Sequence, residues 1–245
     1  MITTTTRTLR RASLTAGVGL ALMAVLAGFA VFGAIAAQIT PGDATRTAQD
    51  IAASQGVFRL GIAGLIVVVI LDVIVAAALY VVFAPVNRMV AIMAAGFRIA
   101  YAAVYLVAIA QLFIAVDLLG NPAQALLAVN AYDTIWHVGL ILFGVHLVLI
   151  GALAYRSGYV PKIFGILLLI AGAGYLVDGF GAVLVQDYVI SIGAFTFVGE
   201  VALIFWLLIS GTRNSFHRAD THPDDPRRND AHREVESDPT TAPVG

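Results

Sequence analysis

The sequence predicts an all-α, polytopic membrane protein: a six-transmembrane-helix bundle followed by a disordered C-terminal tail. Three observations predict it. Of 245 residues, 60% are hydrophobic and 12% charged, where a soluble domain is about a quarter charged. Mean hydropathy is +0.92, an apolar excess too large for a single soluble core. Six stretches also reach the length of about 20 apolar residues that a spanning helix needs. They lie at about 13–37, 57–84, 88–116, 133–155, 161–184 and 190–210. None alternates with period two, so helix is the reading over strand.

Span 1 follows Arg10-Arg11 and ends in GAIAAQ, which invites comparison with a cleaved signal peptide. Its apolar run exceeds the roughly 7–15 residues of a signal core, so it is expected to be retained. Residues 1–12 then form a cytoplasmic N-terminus. Residues 38–56 make the longest outer loop, and TPGDATRTAQDIAASQG within it has the amphipathic look of a helix lying on the membrane surface. Span 2 contains GLIVVVILDVIVAAALYVVF, uncharged except for Asp72. Pro85 separates it from span 3. Asn121-Pro122 is a break between spans 3 and 4, Ser157-Gly158 with Pro161 separates spans 4 and 5, and Gln186-Asp187 precedes span 6. Residues 13–211 thus form the transmembrane domain. Residues 212–245 are polar, contain proline and are nearly free of large apolar groups, so they are expected to be a disordered cytoplasmic tail.

Basic residues set the orientation. Arg7, Arg10, Arg11, Arg88, Arg156, Lys162, Arg213 and Arg218 fall on one side, Arg46 and Arg59 on the other. Both termini are therefore expected in the cytoplasm of a bacterial cell, with the bundle in its plasma (inner) membrane and the lipid bilayer as its first partner.

Several function classes drop out. Cysteine is absent, which removes disulfides, thiolate metal sites and cysteine nucleophiles. A net charge of −1 supplies no basic face, so no nucleic-acid partner is expected. There is no phosphate-binding loop, no serine-hydrolase elbow and no H-E-x-x-H motif. The glycine-rich GILLLIAGAGYLVDG (165–179) fits close helix packing better than dinucleotide binding, since no strand precedes it. His217, His222 and His232 match no ligand spacing. His137 and His146 fall on nearly opposite faces of one helix, which excludes a haem held by both within this chain. No cofactor and no metal site are expected.

Ionisable residues inside spans are costly and are the first functional candidates. Asp72, Arg98, His146 and Glu200 fall within roughly 5–8 Å of the bilayer centre at 1.5 Å rise per residue, and Asp178 and His137 roughly 10 Å outward. Asp72 shares its face with Gly61, Ala76 and Tyr80, and Arg98 with Ala91, Ala94, Tyr101 and Tyr105. Small neighbours let helices approach, which turns these charges into the bundle. Arg98 is the only cation at this depth, so it is expected to bridge Asp72 and Glu200. Three carboxyls against one arginine leave at least one of Asp72, Asp178 and Glu200 to hold a proton. Asp133 and His137, four residues apart, are expected to pair at the outer edge of span 4.

The segments GVFRLGI (56–62), LDVIVAAALYVVFAPVNRMVA (71–91), FRIAYA (97–102), AYDTIWHVGLILFGVHLVLIGALAYRSGYVPKIFGILLLIAGAGYLVDGF (131–180) and VGEVALIFWLLISG (198–211) resemble the bacterial domain of unknown function 4386 family. Arg59, Asp72, Arg98, Tyr132, Asp133, His146, Ser157, Gly158, Pro161, Tyr175, Asp178 and Glu200 carry the resemblance. The family pattern often has serine after the span 5 aspartate, where this chain has Gly179. The resemblance implies a six-helix integral membrane protein and no established activity.

Three functions follow as expectations. In the first, the central layer binds or moves a small solute or proton, with Asp72 and Glu200 as ligand groups, Arg98 as counter-ion, and His146 and Asp178 extending the path. In the second, the chain is a membrane scaffold or sensor subunit whose buried charges fix helix register and whose tail recruits a cytoplasmic partner. The third, an intramembrane metalloenzyme, is disfavoured because neither His146 with Asp72 and Glu200 nor His137 with Asp178 and Asp133 supplies two or three histidines.

Overall fold

The computed structural model describes residues 2–185 and 198–212. Among them the chain is helical, with no strand. The tail beyond residue 212 and the first part of span 6 lie outside the described residues.

Helix α1 (Ile2–Gly28) continues through a wider π turn, Phe29–Ile35, and a tight turn, Ala36–Gln38. A short helix α2 (Ala44–Ala53) precedes α3 (Gln55–Phe83), α4 (Arg88–Asp117), α5 (Pro122–Arg156), α6 (Lys162–Leu184) and α7 (Val198–Thr212). Arg7–Gln38, α3, α4, α5 and α6 are long and apolar enough to cross a membrane, and Gly199–Ser210 is a shorter apolar helix. Their outward faces carry exposed Leu, Ile, Val and Phe, as a lipid-facing surface requires.

Local chemistry sets the helix starts. Asp43, Asn87 and Asn121 each accept a hydrogen bond from the backbone N–H three residues on, at 2.9, 3.1 and 3.4 Å, which satisfies a donor left over at a helix start. Pro122 follows its cap at a position where the missing N–H costs nothing. Gly158, at φ +73°, turns the chain between α5 and α6.

The helices form a closed ring. α1 packs on α3, α3 on α4, α4 on α5, α5 on α6, α6 on α7, and α7 returns to α1. The closing seam is tied by Ser13, whose buried hydroxyl donates to the Leu207 carbonyl at 2.9 Å. The α5–α6 seam is a glycine contact. A Cβ at Gly172 would come within 2.7 Å of the Gly144 carbonyl oxygen, and one at Gly165 within 2.9 Å of that of Gly151. Such bare surfaces let two backbones touch where apolar lipid supplies no hydrophobic drive.

Two expectations need correction. Span 4 was expected from about residue 133, yet α5 starts at Pro122 and runs 35 residues, roughly 52 Å. Asn121-Pro122 is a helix start, and Ala125, Ala128, Val129 and Tyr132 bury one continuous face from there. The loop helix α2 forms as expected, but its buried face, Thr47, Ala48 and Ile51, belongs to a helix packed on α5. Protein covers that face where a membrane surface was expected to.

Candidate functional site

Each of the six bundle helices sends a side chain into the middle of the ring. Asp72 lies on α3, Arg98 on α4 and His146 on α5, with exposures of 1%, 3% and 1%. α1 contributes Met23, α6 Tyr175 and α7 Glu200.

Arg98 is the hub. Its Nη2 lies 2.6 Å from Asp72 Oδ1 and 4.0 Å from the Met23 sulfur. Its Nη1 donates to His146 Nε2 at 3.2 Å. A guanidinium only donates, so His146 Nε2 is the acceptor and the ring proton sits on Nδ1. That proton is used too: Nδ1 lies 2.8 Å from the Ala94 carbonyl oxygen. His146 is therefore a neutral imidazole with both nitrogens occupied, a strut between α4 and α5.

Glu200 is placed differently. Arg98 was expected to bridge Asp72 and Glu200, but its second side-chain partner is His146. The partly buried Glu200 accepts a hydrogen bond from the Tyr175 hydroxyl at 3.0 Å. The physical reason is reach: the guanidinium turns toward α3 and α5, which flank its own helix in the ring. Phe143 touches both Arg98 and Tyr175. Its ring lies under the Arg98 guanidinium at 5.4 Å and meets Tyr175 edge-on at 5.7 Å.

Aromatic side chains close both ends. Toward the end opposite the arginines, Tyr101 packs on Phe143 at 4.9 Å and on Tyr105 at 5.7 Å. Tyr105 meets Tyr132 and Trp136, each at 6.4 Å, and the Trp136 indole N–H donates to the Tyr101 hydroxyl at 3.3 Å. Toward the arginine-rich end, Tyr159 in the α5–α6 connection donates to the Val82 carbonyl at 2.6 Å. It stacks between Phe83 and Trp206.

Asp133 and His137 fall outside this contact set. Asp178 is partly buried on α6, one turn beyond Tyr175. Asp133 and His137 pair at 3.4 Å on the exposed side of α5. His137 Nδ1 also lies 2.8 Å from the Asp133 carbonyl, so that nitrogen carries a proton. Among the described residues no group of three or more His, Cys, Asp or Glu is placed to hold a metal ion. Gly179, where a serine was considered, faces Ile141 closely enough that any side chain would collide with it.

Sequence reasoning missed Met23, Phe143 and Tyr175 as organisers of the layer. Met23 and Phe143 left no signal, being apolar residues in apolar runs. Tyr175 did leave one: a hydroxyl one helical turn from Asp178, on an otherwise apolar stretch of α6.

An uncharacterized protein of Archaeoglobus fulgidus is 39% identical to this chain over 154 residues, covering 63% of this chain and 85% of that one. No solved structure matches the chain. The model of the Domain of unknown function DUF4386 matches residues 15–211. That stretch takes in part or all of every helix of the ring and all six residues of its central layer, and the chain belongs to the DUF4386 family.

Proposed function

We propose that this multi-pass membrane protein binds or moves a small solute or a proton through its central polar layer. We place it in the bacterial plasma membrane with both termini in the cytoplasm, because Arg10, Arg11, Arg88, Arg156 and Lys162 gather at one end of the ring.

One observation carries the reading. Glu200 is a carboxyl at mid-bundle whose side-chain partner is a neutral hydroxyl, while the arginine of the same layer is engaged by Asp72 and His146. A buried carboxyl held by a hydroxyl keeps its hydrogen bond in either protonation state, since a tyrosine can donate to the anion or accept from the acid. Glu200 is thus the group through which a proton can be taken up and released. Asp72, held by Arg98, is the fixed charge beside it. Asp178, one turn along α6, continues the acidic face toward the opposite end.

Proton flux into vesicles containing the purified protein tests this. Glu200→Gln should abolish a flux that the wild type supports, at equal protein content. A wild type with no flux above empty vesicles, or a Glu200→Gln flux equal to wild type, would sink the proton reading.

The scaffold reading has its own support. Arg98 touches side chains from α1, α3 and α5 while sitting on α4, which is how a buried charge would fix helix register. A tail-recruitment role predicts that deleting residues 213–245 produces a loss of partner binding while the bundle stays intact.

A further inference from the structure

α1 and α3 enclose an open apolar groove of about 370 Å³, lined by Leu14, Thr15, Val18, Gly19 and Leu22 on α1 and by Leu71 and Ile74 on α3. Gly19 forms its floor, where a Cβ would come within 2.7 Å of Val75. Val18, Leu22 and Ile74 are each nearly half exposed along its walls.

Its length and its end are informative. Arg11, Thr15, Val18 and Leu22 follow one another at helical spacing, and all four are exposed. From Arg11 to Leu22 the helix rises roughly 16 Å, close to half of a hydrocarbon core about 30 Å thick. Leu22 adjoins Met23, whose sulfur touches the mid-bundle arginine. The groove therefore runs from mid-membrane depth to a cation at headgroup depth. Arg7, Arg10, Arg88, Arg156 and Lys162 stand at that same end, and among the described residues no Asp or Glu does.

We infer that this groove is a binding site for an anionic phospholipid, with one acyl chain along α1 and α3 and the phosphate on Arg11. The apolar walls accept a chain of one leaflet's depth, and the arginine selects a negative headgroup over a zwitterionic one.

The full-length protein in mild detergent, equilibrated with equal amounts of phosphatidylglycerol and phosphatidylcholine of matched chains, tests this by native mass spectrometry of retained lipid. The wild type should keep phosphatidylglycerol with about fivefold preference, which corresponds to ~1 kcal/mol per basic residue at a surface. Arg11→Gln should hold as much lipid without the preference. Thr15→Phe, which fills the groove from an exposed position, should lose the retained lipid of both kinds. Arg88→Gln, on another helix at the same end, should leave the preference intact. Equal retention of both lipids by the wild type, or a preference that survives Arg11→Gln, or one lost equally in Arg88→Gln, would overturn the site.

Discussion

Asp72 and Glu200 are both carboxyls at the middle of one bundle, and their surroundings differ in kind. Asp72 is 1% exposed and lies 2.6 Å from a guanidinium that two further helices help to hold. Glu200 is partly buried, takes a hydrogen bond from a tyrosine, and sits on α7. On the proposed reading Asp72 is the fixed charge, and Glu200 is the group that changes charge without losing its partner. A single polar layer would then combine a fixed part and an exchangeable part, which depth alone does not separate.

The largest effect tests the fixed part. Arg98→Leu leaves Asp72 buried without its cation and should cost about 3–5 kcal/mol. Denaturant unfolding of the protein in detergent reads this directly. Adding Asp72→Leu should recover most of the loss, because removing both charges is often neutral. A double variant as unstable as the single one would mean that Arg98 acts mainly through His146 and Met23.

The α5–α6 contact comes next. Gly165→Ala would place a methyl 2.6 Å from the Tyr155 backbone nitrogen, with an expected cost of about 1–3 kcal/mol. Because α6 carries Tyr175, the same variant should loosen the grip on Glu200 and leave the Asp72–Arg98 pair intact. Distances between labels on α5 and α6, measured by electron spin resonance, would show the separation.

Tyr175→Phe removes the hydroxyl that donates to Glu200 and should cost about 0.5–1.5 kcal/mol. If Glu200 is the exchanging group, the pH dependence of flux should shift in this variant while the Arg98 cluster stays folded. An unchanged pH profile would detach Tyr175 from the proposed path. The smallest effect belongs to the exposed pair on α5. Asp133→Asn should change stability by less than ~1 kcal/mol, and a larger loss would give that pair a structural role its exposure does not suggest.

Much of this architecture is legible in the sequence because bilayer physics is strict. A chain that crosses lipid must bond its backbone internally, so long apolar runs become helices. The faces named for Arg98 follow from periodicity, and Ala91, Ala94, Tyr101 and Tyr105 are all buried with it. What resisted was partner choice. Arg98, Glu200 and His146 can be placed at one depth by counting residues, but which of them meet depends on the order of helices around the ring. His146 was one of several polar residues until α5 proved to be the neighbour of α4. The start of α5 was legible and misread, since Asn-Pro both ends one element and opens the next.

The turn between α3 and α4 is only Ala84–Asn87, and it joins the two helices that carry Asp72 and Arg98. That has a consequence for biogenesis. Each charge alone would weigh on insertion by roughly 2.5–3.5 kcal/mol at a helix centre. Joined so closely, the two helices can leave the insertion machinery as one hairpin, with the acid and the base already facing each other. The chain then presents the lipid with a neutral pair. Glu200 enters last, on the helix that closes the ring, and meets the hydroxyl of Tyr175 there.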